Sequence, residues 1–335
     1  MGELFVSASV EAHTFERFAD WCNHQEELTP DAQHTIDVLL EEVGTENCED
    51  ADKALHSLTD LALVRKEIEN VAPIGALSNL EDLNLSGNQV EDIQPLSSLQ
   101  NLQYLSLTHN LVQDYTPLEK LLKLEELFLV GNNIQDLSFL RYLTDLKSLV
   151  LSNNNIEDVS VLSYLQNLET LWLEANNIED ISSLRNLVNL KILALYENKV
   201  KDITALSSLT NLEKLFLNSN AIENIDSLES LELLKTLALG DNLIKSINSI
   251  RFLETLGILS LSKNQIEDIS FLSNLPALQV LELHNNRISD ISPLSTLANL
   301  KVVTVFDNPI QDQICPVQPE SICLFEMPES WNQGQ

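Results

Sequence analysis

LEELFLVGNNI (residues 124–134), LETLWLEANNI (168–178) and LKILALYENKV (190–200) are three copies of one unit, and their spacing decides the fold. The asparagine in each belongs to a series, Asn88, Asn110, Asn132, Asn154, Asn176, Asn198, Asn220, Asn242, Asn264, Asn286 and Asn308, spaced 22 residues apart without a slip. Eight residues before each stands a leucine, Leu80 to Leu300, and apolar residues stand five and three before; only Val303 and Val305 replace leucine there. Two residues after each asparagine comes valine or isoleucine, from Val90 to Ile310. A unit this short cannot bury its own apolar face and must lay it on its neighbours, which predicts a solenoid whose function lies on a surface rather than in a pocket.

The unit reads LxxLxLxxNxI, which resembles the leucine-rich repeat family. Its second half, as in DISPLSTLANL (residues 290–300), is similar to the 22-residue class of bacterial internalin-type proteins and of a regulatory subunit of protein phosphatase 1. The resemblance implies an α/β solenoid, a right-handed superhelix with a parallel sheet on its concave face and short 3-10 or α turns on its convex face. It also implies recognition of a partner by a rigid, preformed surface.

The residues support that fold on their own terms. In LxLxx the alternation sends the leucines to one side of a short strand and the intervening residues to the other, with rungs stacked about 4.8 Å apart. The asparagine stands where the chain turns, and its buried amide can satisfy backbone groups of adjacent coils. Beyond the turn, Thr116, Ser138, Ser160, Ser182, Thr204, Ser270 and Ser292 precede the short helical turns, some followed by proline (Pro117, Pro293), and read as hydroxyl caps. Pairs such as Leu96 and Leu99, or Leu184 and Leu187, supply each turn's apolar face. The chain has 8 glycines, and we expect ordinary turns that need few of them.

Both ends depart from the period. Residues 58–310 form the solenoid, one degenerate coil with Lys66 at the asparagine position followed by eleven regular ones. Residues 1–57 read as a helical cap: Val10, Phe15, Phe18 and Cys22 have helical spacing, Thr29 and Pro30 open a second helix closed by Gly44, and a third starts near Thr45. Residues 311–335 read as a C-terminal cap. All four cysteines lie in the caps; Cys22 with Cys48 and Cys315 with Cys323 are candidate bridges, and four cysteines allow three pairings. A zinc site of Cys22, His24, Cys48 and His56 is the alternative, at a spacing that matches no familiar metal pattern.

Fifty-one acidic against nineteen basic residues give a formal charge of −32, which repels nucleic acid and anionic membranes. No stretch has the length of a membrane span. The opening MGELFVSASVEAHTF lacks a basic, long-cored signal sequence, and Val6 stands where a myristoylation motif wants Ser or Thr, so the expected location is the cytoplasm. Paired cap cysteines fit that location poorly, since cytosolic thiols are normally reduced.

The position between the second and third leucine of each unit points onto the concave sheet: Asn84, Ser106, Phe128, Val150, Trp172, Ala194, Phe216, Ala238, Ser260, Glu282 and Thr304. Phe128, Val150, Trp172 and Phe216 form a ridge there, and adjacent outward columns add Val130, Tyr196, Tyr104 and Ile192, a patch about 20 Å long. Glu126, Glu174, Glu197, Asp241 and Lys214 make a mostly acidic rim. Cross-strand packing that merely stiffens the sheet is the structural alternative.

Two charged columns read as support. Glu125, Lys147, Glu169, Lys191, Glu213 and Lys235 alternate in sign on six rungs. Asp92, Asp114, Asp136, Asp158, Asp180, Asp202, Asp268, Asp290 and Asp312 stand four residues after ladder asparagines, where backbone N–H groups of the next turn would offset their repulsion; calcium between rungs is the rival reading. No phosphate loop, HExxH or nucleophile elbow occurs, and His109 and His284 read as surface residues. The expectation is therefore a monomeric scaffold or regulatory module, with neither catalytic residues nor cofactor, that binds a protein offering apolar residues flanked by Lys or Arg. A calcium-dependent adhesive protein and an acidic solenoid without a defined partner are the alternatives.

Overall fold

Each LxLxx stretch forms a three-residue strand whose central leucine is buried while its neighbours face outward, as in Asp82–Asn84, Glu126–Phe128 and Thr170–Trp172. The computed structural model describes residues 15–327. The chain divides into two compact units, Met1–Lys123 and Leu124–Gln335. The strands follow one another in chain order and pair in parallel, without offset between repeats: Leu61, Leu83 and Leu105 align in the first unit, and Leu127, Leu149, Leu171, Leu193 and Leu215 in the second. Most regular coils return through a five-residue 3-10 turn such as Ser160–Tyr164 or Ser182–Asn186, and the degenerate first coil through the three-residue Ile74–Ala76. The leucines and isoleucines between sheet and turns are almost without exception fully buried, each contributing about 1.5–3 kcal/mol.

The ladder asparagines hold the coils together. Asn154 Oδ1 accepts from the amides of Asn132 and Ile134, both at 3.0 Å, while its Nδ2 donates to the carbonyls of Leu129, Leu151 and Ser152. Asn176 does the same for Ile156, Leu151, Leu173 and Glu174. In the degenerate coil the Lys66 side chain cannot play this part, and Asn88 from the next coil takes the amides of Lys66 and Ile68.

The turns are not ordinary. The residue just before every ladder asparagine has a left-handed φ, and only two of the eleven are glycine, Gly87 and Gly131; the others are His109, Asn153, Ala175, Glu197, Ser219, Asp241, Lys263, Asn285 and Asp307. A non-glycine residue there costs roughly 1–2 kcal/mol. The fold accepts this because the turn hands the following asparagine inward.

The hydroxyl residues are not the caps either. Before most of the 3-10 turns stands a branched apolar residue without a capping side chain, for example Ile181; Tyr115 takes that place before Thr116–Lys120. The aspartate two residues upstream of the hydroxyl does the capping: Asp180 Oδ1 accepts from the Ser182 amide at 2.8 Å, and Asp114, Asp136, Asp158, Asp202, Asp268 and Asp290 repeat the contact. Serine and threonine oxygens follow too late in the chain to reach that donor, and several instead donate to the same carboxylate. The carboxylates are turned toward their own turns, as the local reading of this column expects.

The N-terminal cap comprises α1 (Phe18–Asn23), α2 (Pro30–Val43) and α3 (Cys48–His56). Thr29 caps α2, and Gly44, at φ 69°, ends it. Val10, expected in the first helix, and Val6 lie outside the described residues. Arg17 bonds Glu49 and the buried Asp52, and Asp52 also accepts from the Ala19 amide. Burial alone would raise the Asp52 carboxyl, but the Arg17 and Ala19 hydrogen bonds and His56 hold it below the usual range. Cys22 is bonded to Cys48, with Cα atoms 5.6 Å apart, so neither sulfur is left as a zinc ligand. At the other end Cys315 is bonded to Cys323, and Cys323–Leu324 adds one more parallel strand beside Val303 and Thr304, 20 residues on rather than 22. The C-terminal segment thus adds a strand beside the last coil.

The left-handed turn makes Ala175→Gly stabilising by about 1 kcal/mol in urea unfolding, against the usual penalty of a glycine; a loss of stability would contradict that reading. A second expectation concerns acid. Backbone amides first, and hydroxyls second, hold Asp114, Asp180 and Asp290 below the usual carboxylate range. Their contribution is therefore complete above an unfolded value of about 3.9 and is lost as pH falls through the lower folded values. The triple Asp→Asn variant, which keeps the acceptor as Asn224 does naturally, should lose thermal midpoint less steeply between pH 4 and 2.5; an unchanged slope would remove these caps from the acid response.

Candidate functional site

In the second unit the outward side chains of successive rungs stand in files, because the register places Phe128 beside Val150, Val150 beside Trp172, and Trp172 and Phe216 on either side of Ala194. Phe128, Val150, Trp172 and Phe216 are half-buried, neither lost among the leucines nor fully exposed. The backbones of Trp172 and Phe216 are two rungs, about 9.6 Å, apart. Their ring centroids lie 6.1 Å apart with an interplanar angle of 27°, so the rings lean together over Ala194, which is fully buried beneath them. The cross-strand packing anticipated as an alternative is therefore real for this pair, worth about 0.5–1.5 kcal/mol, and it fixes both rings on the face.

Val130, Ile192 and Tyr196 flank the ridge and are half-buried. Tyr104, also half-buried, belongs to the first unit. Glu126, Glu197, Asp241 and Lys214 are exposed, and Asp241 accepts from the Ser219 hydroxyl. Glu174 is not part of an exposed rim: it is 9% exposed. Tyr196 is pushed above the usual phenol value by burial first, then by the charges of Glu174 and Glu197 and a hydrogen bond to Glu174.

The alternating column resolves into three exposed pairs, Lys147 with Glu125, Lys191 with Glu169 and Lys235 with Glu213, each at 2.6 Å. Such pairs add little stability in water. His284 stacks on Phe306 with centroids 4.5 Å apart and contacts the Asn285 amide oxygen through Nδ1. Among the described residues no three His, Cys, Asp or Glu side chains are grouped to hold a metal ion, and no helix is long and apolar enough to cross a membrane.

Three features escaped the sequence reading. Ile258 and Val302, 45% and 39% exposed, are more open than the ridge. Both stand in the column of Ile192 and Lys214, with Val280 between them, and listing that column through every rung would have found them. A second amide file, Asn167, Asn189, Asn211 and Asn299, donates to the carbonyls of Thr144, Gln166, Val188 and Pro276 ahead of each first leucine. The recurring Asn-Leu dipeptide was its signal. On the 3-10 turns Tyr142 and Tyr164 are exposed, and Arg141 lies over the Tyr164 ring at 4.9 Å.

The family described as "Leucine Rich repeats (2 copies)" matches residues 78–120, 122–164, 166–208, 256–296 and 276–316. The chain belongs to the leucine-rich repeat family. Among solved structures, this leucine-rich repeat chain is similar to an internalin (InlF) from Listeria monocytogenes, at 32% identity over 86% of this chain and 92% of that one, with a TM-score of 0.77. It is also similar to the Leptospira interrogans LRR protein LIC12759, at 29% identity over 72% and 70% of the two chains, TM-score 0.66. A plant peptide hormone receptor, RGFR1 in complex with RGF2, shares the fold at 24% identity over 76% and 48%, TM-score 0.62. No curated protein matches the chain.

Proposed function

We propose that this chain is a non-enzymatic binding module that captures a partner protein on the outward face of its sheet. The observation that carries the reading is the Trp172 and Phe216 pair held over Ala194. Packing fixes the rings before any partner arrives, so little side-chain entropy remains to be lost on binding, and Trp is a side chain whose burial dominates interface energies. Phe128, Val150, Val130, Ile192 and Tyr196 enlarge the apolar centre, and Glu126 and Glu197 surround it with negative charge. That combination favours a partner with apolar side chains beside Lys or Arg. Internalin-type relatives support an interaction module in general, and the choice of face and of partner chemistry is this reading's own.

Two bridges, Cys22–Cys48 and Cys315–Cys323, support a working environment in which thiols are oxidised, against the cytoplasmic expectation. Calcium is disfavoured as the organising ligand, because the aspartate column spends its oxygens on backbone amides.

Immobilised chain incubated with extracts and surface fractions of its source should retain a protein whose recovery falls at least tenfold with Trp172→Ala. Tyr142→Ala, on a 3-10 turn, should leave recovery unchanged. Trp172→Ala should cost only about 1 kcal/mol of stability, the size of the lost ring pair. Equal recovery with Trp172→Ala, or equal losses with both variants, would defeat the reading.

A further inference from the structure

Glu174 is the one carboxylate of this face that the fold takes out of water. It follows Trp172 by two residues and shares its outward parity, yet only 9% of it is exposed. Its Oε2 is shut off from solvent without a hydrogen-bond partner. Ser152, at the equivalent position on the preceding rung, is 2% exposed, and its Oγ is likewise buried and unpartnered. On the following rung Tyr196 stands close enough that the Glu174 carboxylate helps push its phenol above the usual value, after burial. Lys147 and Lys191 of the charged column are paired with Glu125 and Glu169, and no ion pair among the described residues includes Glu174.

A buried carboxylate is costly unless it is paired. This one has a buried oxygen without a partner, on the rung after a hydroxyl in the same condition and on the rung of Trp172, next to that of Tyr196. The arrangement matches what a cationic side chain needs: a carboxylate to share protons with, a hydroxyl lone pair, and aromatic groups that favour a desolvated cation.

We propose that Glu174 is the seat of a lysine or arginine of the partner protein, flanked by apolar residues that lie on the Trp172–Phe216 ridge. This rests on the reading that the ridge binds protein, and it moves Glu174 from a screened rim charge to the anchor of the interface. The chain's charge of −32 adds long-range attraction for such a partner.

Panning a phage-displayed random dodecapeptide library on the full chain tests both levels separately. Peptides that bind wild type and lose binding to Trp172→Ala, with folding of that variant verified by circular dichroism, should be enriched in Lys or Arg next to an apolar residue. The corresponding synthetic peptides should bind Glu174→Gln at least tenfold more weakly. Glu174→Gln removes a buried carboxylate and keeps its shape and an acceptor oxygen, so its thermal midpoint should equal or exceed that of wild type. Ridge-dependent peptides without basic preference, or equally tight on Glu174→Gln, would overturn this inference and leave the proposed function standing. A fall of several degrees in the midpoint would mark Glu174 as a structural residue and would also overturn it. Failure to recover any peptide sensitive to Trp172→Ala would overturn both.

Discussion

The buried ladder asparagine is the constraint from which the rest follows. A coil that turns sharply after its strand leaves amide and carbonyl groups facing an apolar core, where each unpaired group costs about 1–3 kcal/mol. One primary amide has the donors and the acceptor to settle several of these at once, and here it settles them across coils: Asn154 bonds the chain of the preceding repeat as well as its own. The amide returns to the same place every 22 residues here, so the period of the sequence is the period of the hydrogen bonding. The left-handed residue before each asparagine is the local strain that this arrangement imposes.

Once the repeats are locked without offset, side-chain parity is fixed for every rung, and whatever the sequence places at the outward positions becomes a file on the sheet. Most repeats place small or charged residues there. The second unit places Phe128, Val150, Trp172 and Phe216, with Ala194 as the gap that lets two rings meet. On the same rung as Trp172 the sheet carries Glu174, a buried carboxylate on this outward face.

The fold was legible because its determinants are periodic. Eleven asparagines and their leucines specify strand, turn and register, and Thr29, Pro30 and Gly44 mark the ends of α2 in the usual way. What could not be read is what depends on direction within a turn or on the sizes of neighbouring side chains. Seven of the eleven left-handed positions hold Gly, Asn, Asp or His, which favour that backbone, but Ala175, Glu197, Ser219 and Lys263 break the series, so the turns looked ordinary. The capping role was assigned to Ser182 and its equivalents because hydroxyls cap α-helices; in these short turns Asp180 stands at the reachable distance instead. Parity places Glu174 on the rim, but it is buried, and burial depends on the bulk of neighbouring side chains, which periodicity does not encode. The added strand at Cys323–Leu324 was hidden because its repeat is two residues short.

Amide hydrogen exchange tests the central claim most directly. The N–H groups of Ile156, Ile178, Ile222, Ile244 and Ile266 donate to ladder asparagines rather than to any backbone carbonyl of the sheet. If the ladder holds the coils, these amides exchange as slowly as the strand amides of Leu151 and Leu173, and Asn176→Ala accelerates Ile156 and the strands on either side of it together. Fast exchange of the isoleucine amides in the wild-type chain, or an Asn176→Ala variant with unaltered strand protection, would contradict the account.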